Sequence, residues 1–358
     1  MFKNRNKLKI TIGTFDFAKG LAMILIVLGH IGYLHDTEKL FLFTPLIAVI
    51  RRIGFMITAF WMISGVAFKE KSIKRMLKES FSHYIMPYLW TAGVLLVVYY
   101  IMLFVFYRDW AGTAEYTMRL LRALLLGIPK SGKVILGYQV SHSPVIWFFL
   151  ASFIALNLLN LIVKVKKIAG QILLTAACVV VGYILVIRDI NYFCIPQGLL
   201  AVGCCYIGFL LRKYDLLEKG MYNVWAYLVL LPLAAVHLIW GHLNICLGEF
   251  NYGLLDYVGG CCAALLFLFI SISLGQREWK GLNWIKDIGV YSYWIMCVHA
   301  VEDECMHWYL LVEAIPDQHI SFLLEIALKA VLITGGCILL KHLQKMKYRR
   351  RLQKHGKK

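Results

Sequence analysis

The sequence has little charge and little proline. Only 16% of its 358 residues are Asp, Glu, Lys or Arg, and only 7 are proline, whereas about a quarter of the residues in soluble domains are charged. This scarcity of charge excludes an ordinary water-soluble domain. Long polar linkers are also lacking, so we expect one compact unit rather than several domains.

Apolar stretches fill the chain instead. The hydrophobic share is 60% and the mean hydropathy is +0.69, and a membrane-spanning helix needs roughly 20 mostly apolar residues. The sequence therefore predicts an all-α fold, a polytopic transmembrane bundle of about ten helices. The predicted spans are 14–34, 53–68, 84–107, 144–163, 168–188, 193–211, 222–241, 254–275, 286–301 and 321–341.

Acidic residues are scarcer than basic ones, 20 against 38, which gives a net charge of +18. Such an excess can indicate nucleic-acid binding, but these cations cluster at the ends of the apolar stretches. With a cytoplasmic N-terminus, about three times as many Lys and Arg residues fall inside as outside, which favours ten spans with both termini cytoplasmic. We expect membrane lipids and no nucleic acid as partners.

The predicted organisation is a single transmembrane domain over residues 1–344 and a basic cytoplasmic tail over 345–358, lying on anionic headgroups. The first helix is expected to be retained, since no clear signal-peptide cleavage site follows it. The longest outer connection, 108–143, contains the helix breakers Gly127 and Pro129, so we predict a loop with a short interfacial helix. The ten cysteines are interpreted as small hydrophobic residues. The oligomeric state is left open.

Chemistry-bearing side chains concentrate in the first span, where Asp16, Lys19 and His30 interrupt an apolar helix. Eleven residues at 100° each place Lys19 and His30 on one face, about 16 Å apart along the axis. Charged groups in a membrane are costly and often functional. The alternatives are an Asp16–Lys19 ion pair at the cytoplasmic boundary, and a His30 that bonds a neighbour or faces water.

Read together, Asp16-x-x-Lys19-Gly20 and Gly29-His30 resemble the first-helix signature of membrane acyltransferase family 3, in which a basic residue precedes a histidine by eleven positions. The resemblance is strongest to the fucose 4-O-acetylase-like branch of O-acetyltransferases. Similar segments continue in order along nearly the whole chain. They are Phe60–Gly65, the basic stretch Lys74–Lys78, Ile85–Tyr88, Trp147–Leu150 and Gly289–His299.

The chain departs from the family pattern in three places. Segment 55–58 lacks a His-Met-Pro found in close relatives, which puts any role of a second-helix histidine in doubt. Arg75 and Lys78 stand where the family has two arginines, and lysine lacks the bidentate fork of arginine. We also expect no soluble SGNH-type domain after the bundle, unlike in some larger relatives.

The resemblance implies an acyltransferase that moves acetyl, or another acyl group, from cytoplasmic acyl-CoA to a hydroxyl of a carbohydrate in a bacterial cell envelope. The enzyme would lie in the plasma or inner membrane, with acetyl-CoA as acyl donor, no permanently bound cofactor and no metal. Lys19, Arg75 and Lys78 would bind the phosphates of coenzyme A. The acceptor sugar, its hydroxyl and the acyl chain stay open.

His30 is the predicted catalytic residue, acting as general base because imidazole titrates near neutrality, or as a covalent acyl carrier. Asp16 would orient Lys19. Ser64 would donate a hydrogen bond, unless it only permits close helix packing.

Two residues near the outer mouth are candidates for substrate binding, Trp147 by stacking on a sugar and His299, which precedes three acidic residues. The alternatives are an interfacial aromatic belt for Trp147 and a polar helix end for His299.

Two other functions are open on the sequence alone. A transporter or flippase would use Lys19, Lys329 and His30 along a substrate path, although the chain shows no inverted repeat. A signalling or interaction protein without catalysis is the third possibility.

Overall fold

A computed structural model describes residues 12–31, 35, 40, 42–43, 52–130, 132–277 and 280–355. This part of the chain is almost entirely helical, with two small antiparallel hairpins. The helices are α1 (Asp16–Ile31), α2 (Met56–Ala67), α3 (Ile73–Ser80), α4 (Met86–Tyr107), α5 (Trp110–Leu126), α6 (Trp147–Ile162), α7 (Ile168–Ile187), α8 (Ile195–Lys213), α9 (Leu216–Met221), α10 (Val224–Trp240), α11 (Leu254–Gly275), α12 (Asn283–Cys305), α13 (Trp308–Ala314) and α14 (Gln318–His355). The hairpins pair β1 (Lys133–Ile135) with β2 (Tyr138–Val140), and β3 (Leu243–Asn244) with β4 (Glu249–Phe250).

A helix occupies each of the ten predicted spans, and the all-α, multi-pass membrane fold is confirmed. Within the described residues, six helical stretches are long and apolar enough to cross a bilayer. Three more, α2, α6 and α10, are apolar but shorter. The count of ten spans and the cytoplasmic position of both termini stay predictions.

The connection 108–143 holds more structure than a loop with a short helix. Its helix α5 has 17 residues; Asp109 caps the start by accepting bonds from Ala111 N and Gly112 N, and Gly127 ends it in the left-handed conformation, with φ 56°. The hairpin β1–β2 follows. Local capping chemistry therefore built an ordered segment where Gly127 and Pro129 alone suggested a break.

The structure describes more of the C-terminal end of the chain than of the N-terminal end. The basic leader with Lys3, Arg5, Lys7 and Lys9 lies outside the described residues. The backbone of α14 continues as one helix through the predicted boundary at 344–345 to His355.

The cysteines of the described residues are free thiols, as predicted. Cys204 and Cys205 are fully buried, and Cys261 is 7% exposed. Cys204 Sγ lies 3.9 Å from Cys261 Sγ, too far for a disulfide.

Glycines let two helix pairs approach backbone to backbone. A Cβ on Gly20 of α1 would lie 1.8 Å from Ile285 O of α12, and one on Gly289 of α12 would lie 1.7 Å from Asp16 O. In the same way, a Cβ on Gly65 of α2 would meet Cys205 O of α8 at 1.9 Å. Small residues at such crossings are how membrane helices pack closely. The first crossing sets α1 parallel to α12 and so fixes the relative positions of His30 and His299.

We expect Gly289→Ala to destabilise the protein by roughly 1–3 kcal/mol or more, because the new methyl group must push the two backbones apart. Thermal unfolding of detergent-solubilised protein would measure the loss. Gly93→Ala in α4 is the matched control, since a Cβ there meets nothing within 4 Å and alanine favours a helix. Equal melting temperatures for the two variants would contradict a tight α1–α12 crossing.

Candidate active site

A cavity of about 300 Å³ opens where the C-terminal ends of α1 and α12 meet the segments 127–146 and 241–253. We call this the cavity end of the bundle. Its polar lining consists of His30, His142, Ser143, His242, Asn244, His299, Asp303 and Glu304. Met23, Ile26 and Ile57 supply apolar walls, so the cavity offers a few polar groups in a largely hydrophobic surround.

His30 and His299 meet inside this cavity. Their ring centroids are 5.0 Å apart and the rings are nearly perpendicular, at 80°. His30 Nδ1 lies 3.2 Å from Asp303 Oδ2, and His299 Nδ1 lies 3.0 Å from Glu302 Oε2. A ring whose Nδ1–H donates to a carboxylate carries its lone pair on Nε2. Each histidine is therefore oriented by a carboxylate and carries a lone pair on Nε2. His299 Nε2 is buried and has no hydrogen-bond partner among the described residues, whereas the His30 side chain is 34% exposed.

Lys329 of α14 anchors these carboxylates. Its ammonium group lies 2.8 Å from both Glu302 Oε1 and Asp303 Oδ1 and 3.8 Å from Glu325 Oε1, and its side chain is 1% exposed. The ammonium also lies 4.8 Å from the ring centroid of Trp308. One buried cation therefore holds three acidic side chains, two of which position the histidines.

The cluster extends from Lys329 to a third histidine. His35 Nε2 lies 2.9 Å from Glu325 Oε2, and both side chains are fully buried. On its other nitrogen, His35 Nδ1 lies 3.2 Å from Gln318 Oε1. This contact ties the segment after α1 to the start of α14.

His30, His299 and Asp303 could together hold a metal ion, because one donor atom from each lies within 4.8 Å of the others. The Glu302 carboxylate behind His299 would suit such a site, since metal-bound histidines usually donate their second N–H to an acceptor. Lys329 disfavours metal binding here, because its ammonium group already places a positive charge 2.8 Å from the Asp303 carboxylate.

At the rim of the cavity, His142 Nε2 lies 3.2 Å from Glu304 Oε2. The bond to Glu304 raises the pKa of His142 against the opposing effect of burial. A raised histidine pKa means that the pair stabilises the fold fully below about pH 6.5, the ordinary value. That contribution is lost as the pH rises through the raised pKa.

We therefore expect the melting temperature of His142→Gln to fall below that of the wild type at pH 6 and to converge with it toward pH 9. Thermal unfolding across this range would show it. His319→Gln, another half-buried histidine beside an acid, 3.7 Å from Asp317, is the control for general effects of losing an imidazole. A difference that grows with pH would contradict the ion pair.

The predicted coenzyme A ligands lie at the opposite, basic end. Lys19 Nζ is 2.7 Å from Asp16 Oδ1, so the predicted contact between them is present. Arg75 is 70% exposed and its Nε lies 2.7 Å from Glu79 Oε1, and Lys78 is exposed on the same helix, α3. Among the described residues, no ion pair or hydrogen bond joins α1 to α3. The three cations are thus available at one end without forming a closed cluster.

Trp147 lines the cavity, whereas Ser64 does not. Ser64 Oγ donates to Phe60 O at 2.9 Å, and Ser64 is not part of the cavity lining within the described chain. Trp147 lines the cavity but is 5% exposed, with its ring 6.1 Å from that of Trp61. Little of its ring is therefore open for stacking on a sugar.

Sequence reasoning noted Asp303 only as one of the acids after His299, considered Lys329 only as part of a transport path, and did not consider His142 or His35. The signal for Lys329 was present, since an ionisable residue inside a predicted span is by default a functional candidate. Asp303 lies four residues after His299 and so on the same helix face. The contact with His30 depends on how α1 and α12 pack.

Comparison with known proteins agrees with this architecture. The family model described as an acyltransferase domain matches residues 12–342, which is nearly the whole chain. No curated protein and no solved structure matches the chain. The match covers both ends of the bundle, the glycine crossing and the paired histidines, and it confirms the resemblance found in the first helix. The chain belongs to membrane acyltransferase family 3 and is an acyl-transferring membrane enzyme.

Proposed function

We propose that the protein is an O-acetyltransferase of the bacterial plasma membrane, which transfers acetyl from acetyl-CoA to a hydroxyl of an envelope carbohydrate. The observation that carries the proposal is His30, held by Asp303 in a cavity beside His299. An oriented imidazole with a free Nε2 suits proton abstraction from a hydroxyl.

The proposed reaction uses this geometry. His30 Nε2 takes the proton of the acceptor hydroxyl as its oxygen attacks the thioester carbonyl. The new C–O bond forms, the C–S bond breaks, and the leaving thiolate takes the proton from His30. The negative charge of Asp303 stabilises the imidazolium that exists between these steps.

The two ends of the bundle would serve the two substrates. Lys19 and the cations of α3 would hold the phosphates of coenzyme A, and the pantetheine arm would span the roughly 16 Å of helix between Lys19 and His30. The acceptor would enter from the cavity end, where His299 contacts His30 and Trp147 contributes to the wall.

Purified protein in detergent, supplied with acetyl-CoA and oligosaccharide acceptors, tests the proposal directly. We expect release of free coenzyme A together with an acetylated sugar. Lys19→Gln should raise KM for acetyl-CoA about tenfold, because a charged hydrogen bond contributes roughly 1.5 kcal/mol or more. Lys164→Gln, an exposed lysine between α6 and α7, should change KM little.

Three outcomes would count against the proposal. If acetyl-CoA neither binds nor reacts with any acceptor, the transporter hypothesis is favoured over the acetyltransferase. If Lys19→Gln and Lys164→Gln behave alike, the donor site is elsewhere. If a chelator abolishes turnover and a divalent metal restores it, His30, His299 and Asp303 act as metal ligands instead.

A further inference from the structure

A second cavity lies beside the first and has a different lining. Its volume is also about 300 Å³, and its walls come from the end of α4, from α5 and from the hairpin β1–β2. Two cations and two aromatic rings are prominent among the lining residues: Arg119, Lys133, Tyr99 and Tyr116. No acidic residue lines it within the described chain.

One short stretch of backbone contributes to the lining of both cavities. Ser141 lines the second cavity, and the next two residues, His142 and Ser143, line the first. Ser141 N donates to Arg119 O at 3.2 Å, and this bond attaches the shared stretch of backbone to α5. A chain-like molecule held in the second cavity would therefore reach the first at the His142–Glu304 pair.

The cations are held in place but have exchangeable partners. Arg119 is 25% exposed and pairs with Glu115, which is 62% exposed. Lys133 is 12% exposed and lies 3.2 Å from Asp189 Oδ1, whose side chain is 55% exposed. Ion pairs with such exposed acids are weak. An incoming anion can replace the carboxylate of Glu115 or Asp189, while Lys133 keeps its hydrogen bond to the main-chain oxygen of Asp189.

Aromatic rings accompany each cation. The Arg119 guanidinium carbon lies 4.9 Å from the Tyr116 ring centroid, and Lys133 Nζ lies 5.7 Å from that of Tyr192. Nearby, Arg122 lies 4.6 Å from the Tyr138 ring centroid. Tyrosine rings present apolar faces with a hydrogen-bonding edge, and guanidinium groups pair with carboxylate or phosphate. This combination suits a sugar ring that carries negative charge.

Resting on the proposed function, we infer that the second cavity is an acceptor subsite for an anionic saccharide. Arg119 and Lys133 bind a carboxylate or phosphate of one sugar unit, and an adjoining unit places its hydroxyl in the first cavity. The segment 108–143 carries five Lys or Arg residues against two acidic ones, which attracts such an acceptor. The enzyme therefore selects acidic glycans over neutral ones.

Titration calorimetry on the purified full chain, without acetyl-CoA, tests this inference. The probes are tetragalacturonate, a phosphorylated maltotetraose and uncharged maltotetraose. We expect at least one charged probe to bind about tenfold more tightly than the neutral one, with the difference reduced by 0.5 M salt. The preferred probe shows whether carboxylate or phosphate is the natural group.

The variants Arg119→Gln and Lys133→Gln should each weaken binding of the charged probe about tenfold and leave the neutral probe within twofold. Arg188→Gln is the matched control, an exposed arginine after α7 that does not line the cavity. Equal affinity for all three probes, or equal effects of Arg119→Gln and Arg188→Gln, would overturn the inference. So would loss of co-purified anionic phospholipid from Arg119→Gln with saccharide affinity unchanged, because the patch would then bind lipid.

The outcome is separable from that of the proposed function. Acetyl transfer to simple hydroxyl acceptors can be measured on the same samples. Turnover without preference for charged probes would remove the anionic subsite and leave the acetyltransferase intact.

Discussion

Replacing His30 with asparagine is expected to lower kcat by roughly a hundredfold to ten-thousandfold, the contribution typical of a general base. Asparagine preserves polarity but cannot take up the acceptor proton. Steady-state acetyl transfer, with unfolding temperature as a check on folding, would measure the effect. Affinity for acetyl-CoA should change little, because Lys19 lies about 16 Å away along α1.

Two further variants test whether the loss of activity comes from His30 itself. Asp303→Asn should also reduce kcat and alter its pH profile, since an amide cannot stabilise the imidazolium as a carboxylate does. His242→Asn is the matched control, because His242 lines the same cavity but lies 3.5 Å from Glu249 rather than near His30. If His242→Asn loses as much activity as His30→Asn, the assignment of His30 is wrong. An acetyl group trapped on His30 after rapid quenching would establish the covalent route instead.

Replacing Lys329 with methionine is expected to cost roughly 3–5 kcal/mol, the range for removing one partner of a buried ion pair. Glu302 and Glu325 are at most 4% exposed, so without Lys329 their charges would be buried with histidine contacts but no ammonium to neutralise them. Thermal unfolding would report a large fall in melting temperature, and activity should fall with it because Asp303 loses its anchor.

A second substitution separates charge from packing. Adding Glu325→Gln to Lys329→Met removes one of the stranded charges, so the double variant should be more stable than Lys329→Met alone. Lys341→Met, on an exposed face of the same helix α14, should be nearly neutral. If the double variant is the less stable, loss of packing rather than unpaired charge is the dominant effect.

Much of the helical architecture could be predicted because it depends on local sequence. Apolar length located the helices, and the 100° step placed Lys19 and His30 on one face of α1. The long connection 108–143 was harder to predict, because Asp109 and Gly127 define α5 through caps that composition does not reveal. Its second cavity depends on how α4, α5 and a hairpin pack together.

The candidate site could be predicted only in part for the same reason. His30 was found from its motif, and His299 from a late helix that resembles the family. The contact of His30 with Asp303 joins residues far apart in the chain. So do the contacts of Glu302 and Asp303 with Lys329. Periodicity carries no information on which faces of α1, α12 and α14 meet. The functional roles of all the residues selected from the sequence stay predictions: His30, Lys19, Arg75, Lys78, Asp16, Ser64, Trp147 and His299.

The contact of Gly20 and Gly289 limits how the enzyme can move. Gly20 follows Lys19 directly, and its backbone touches that of α12, so α1 cannot tilt or slide toward a bound donor without losing this contact. The separation between Lys19 and His30 is already fixed because both belong to α1, and the glycine contact holds this helix against α12. The thioester must then reach His30 by its own extension. The length of the coenzyme A arm, rather than the movement of a helix, would then determine whether the acyl carbon reaches the base.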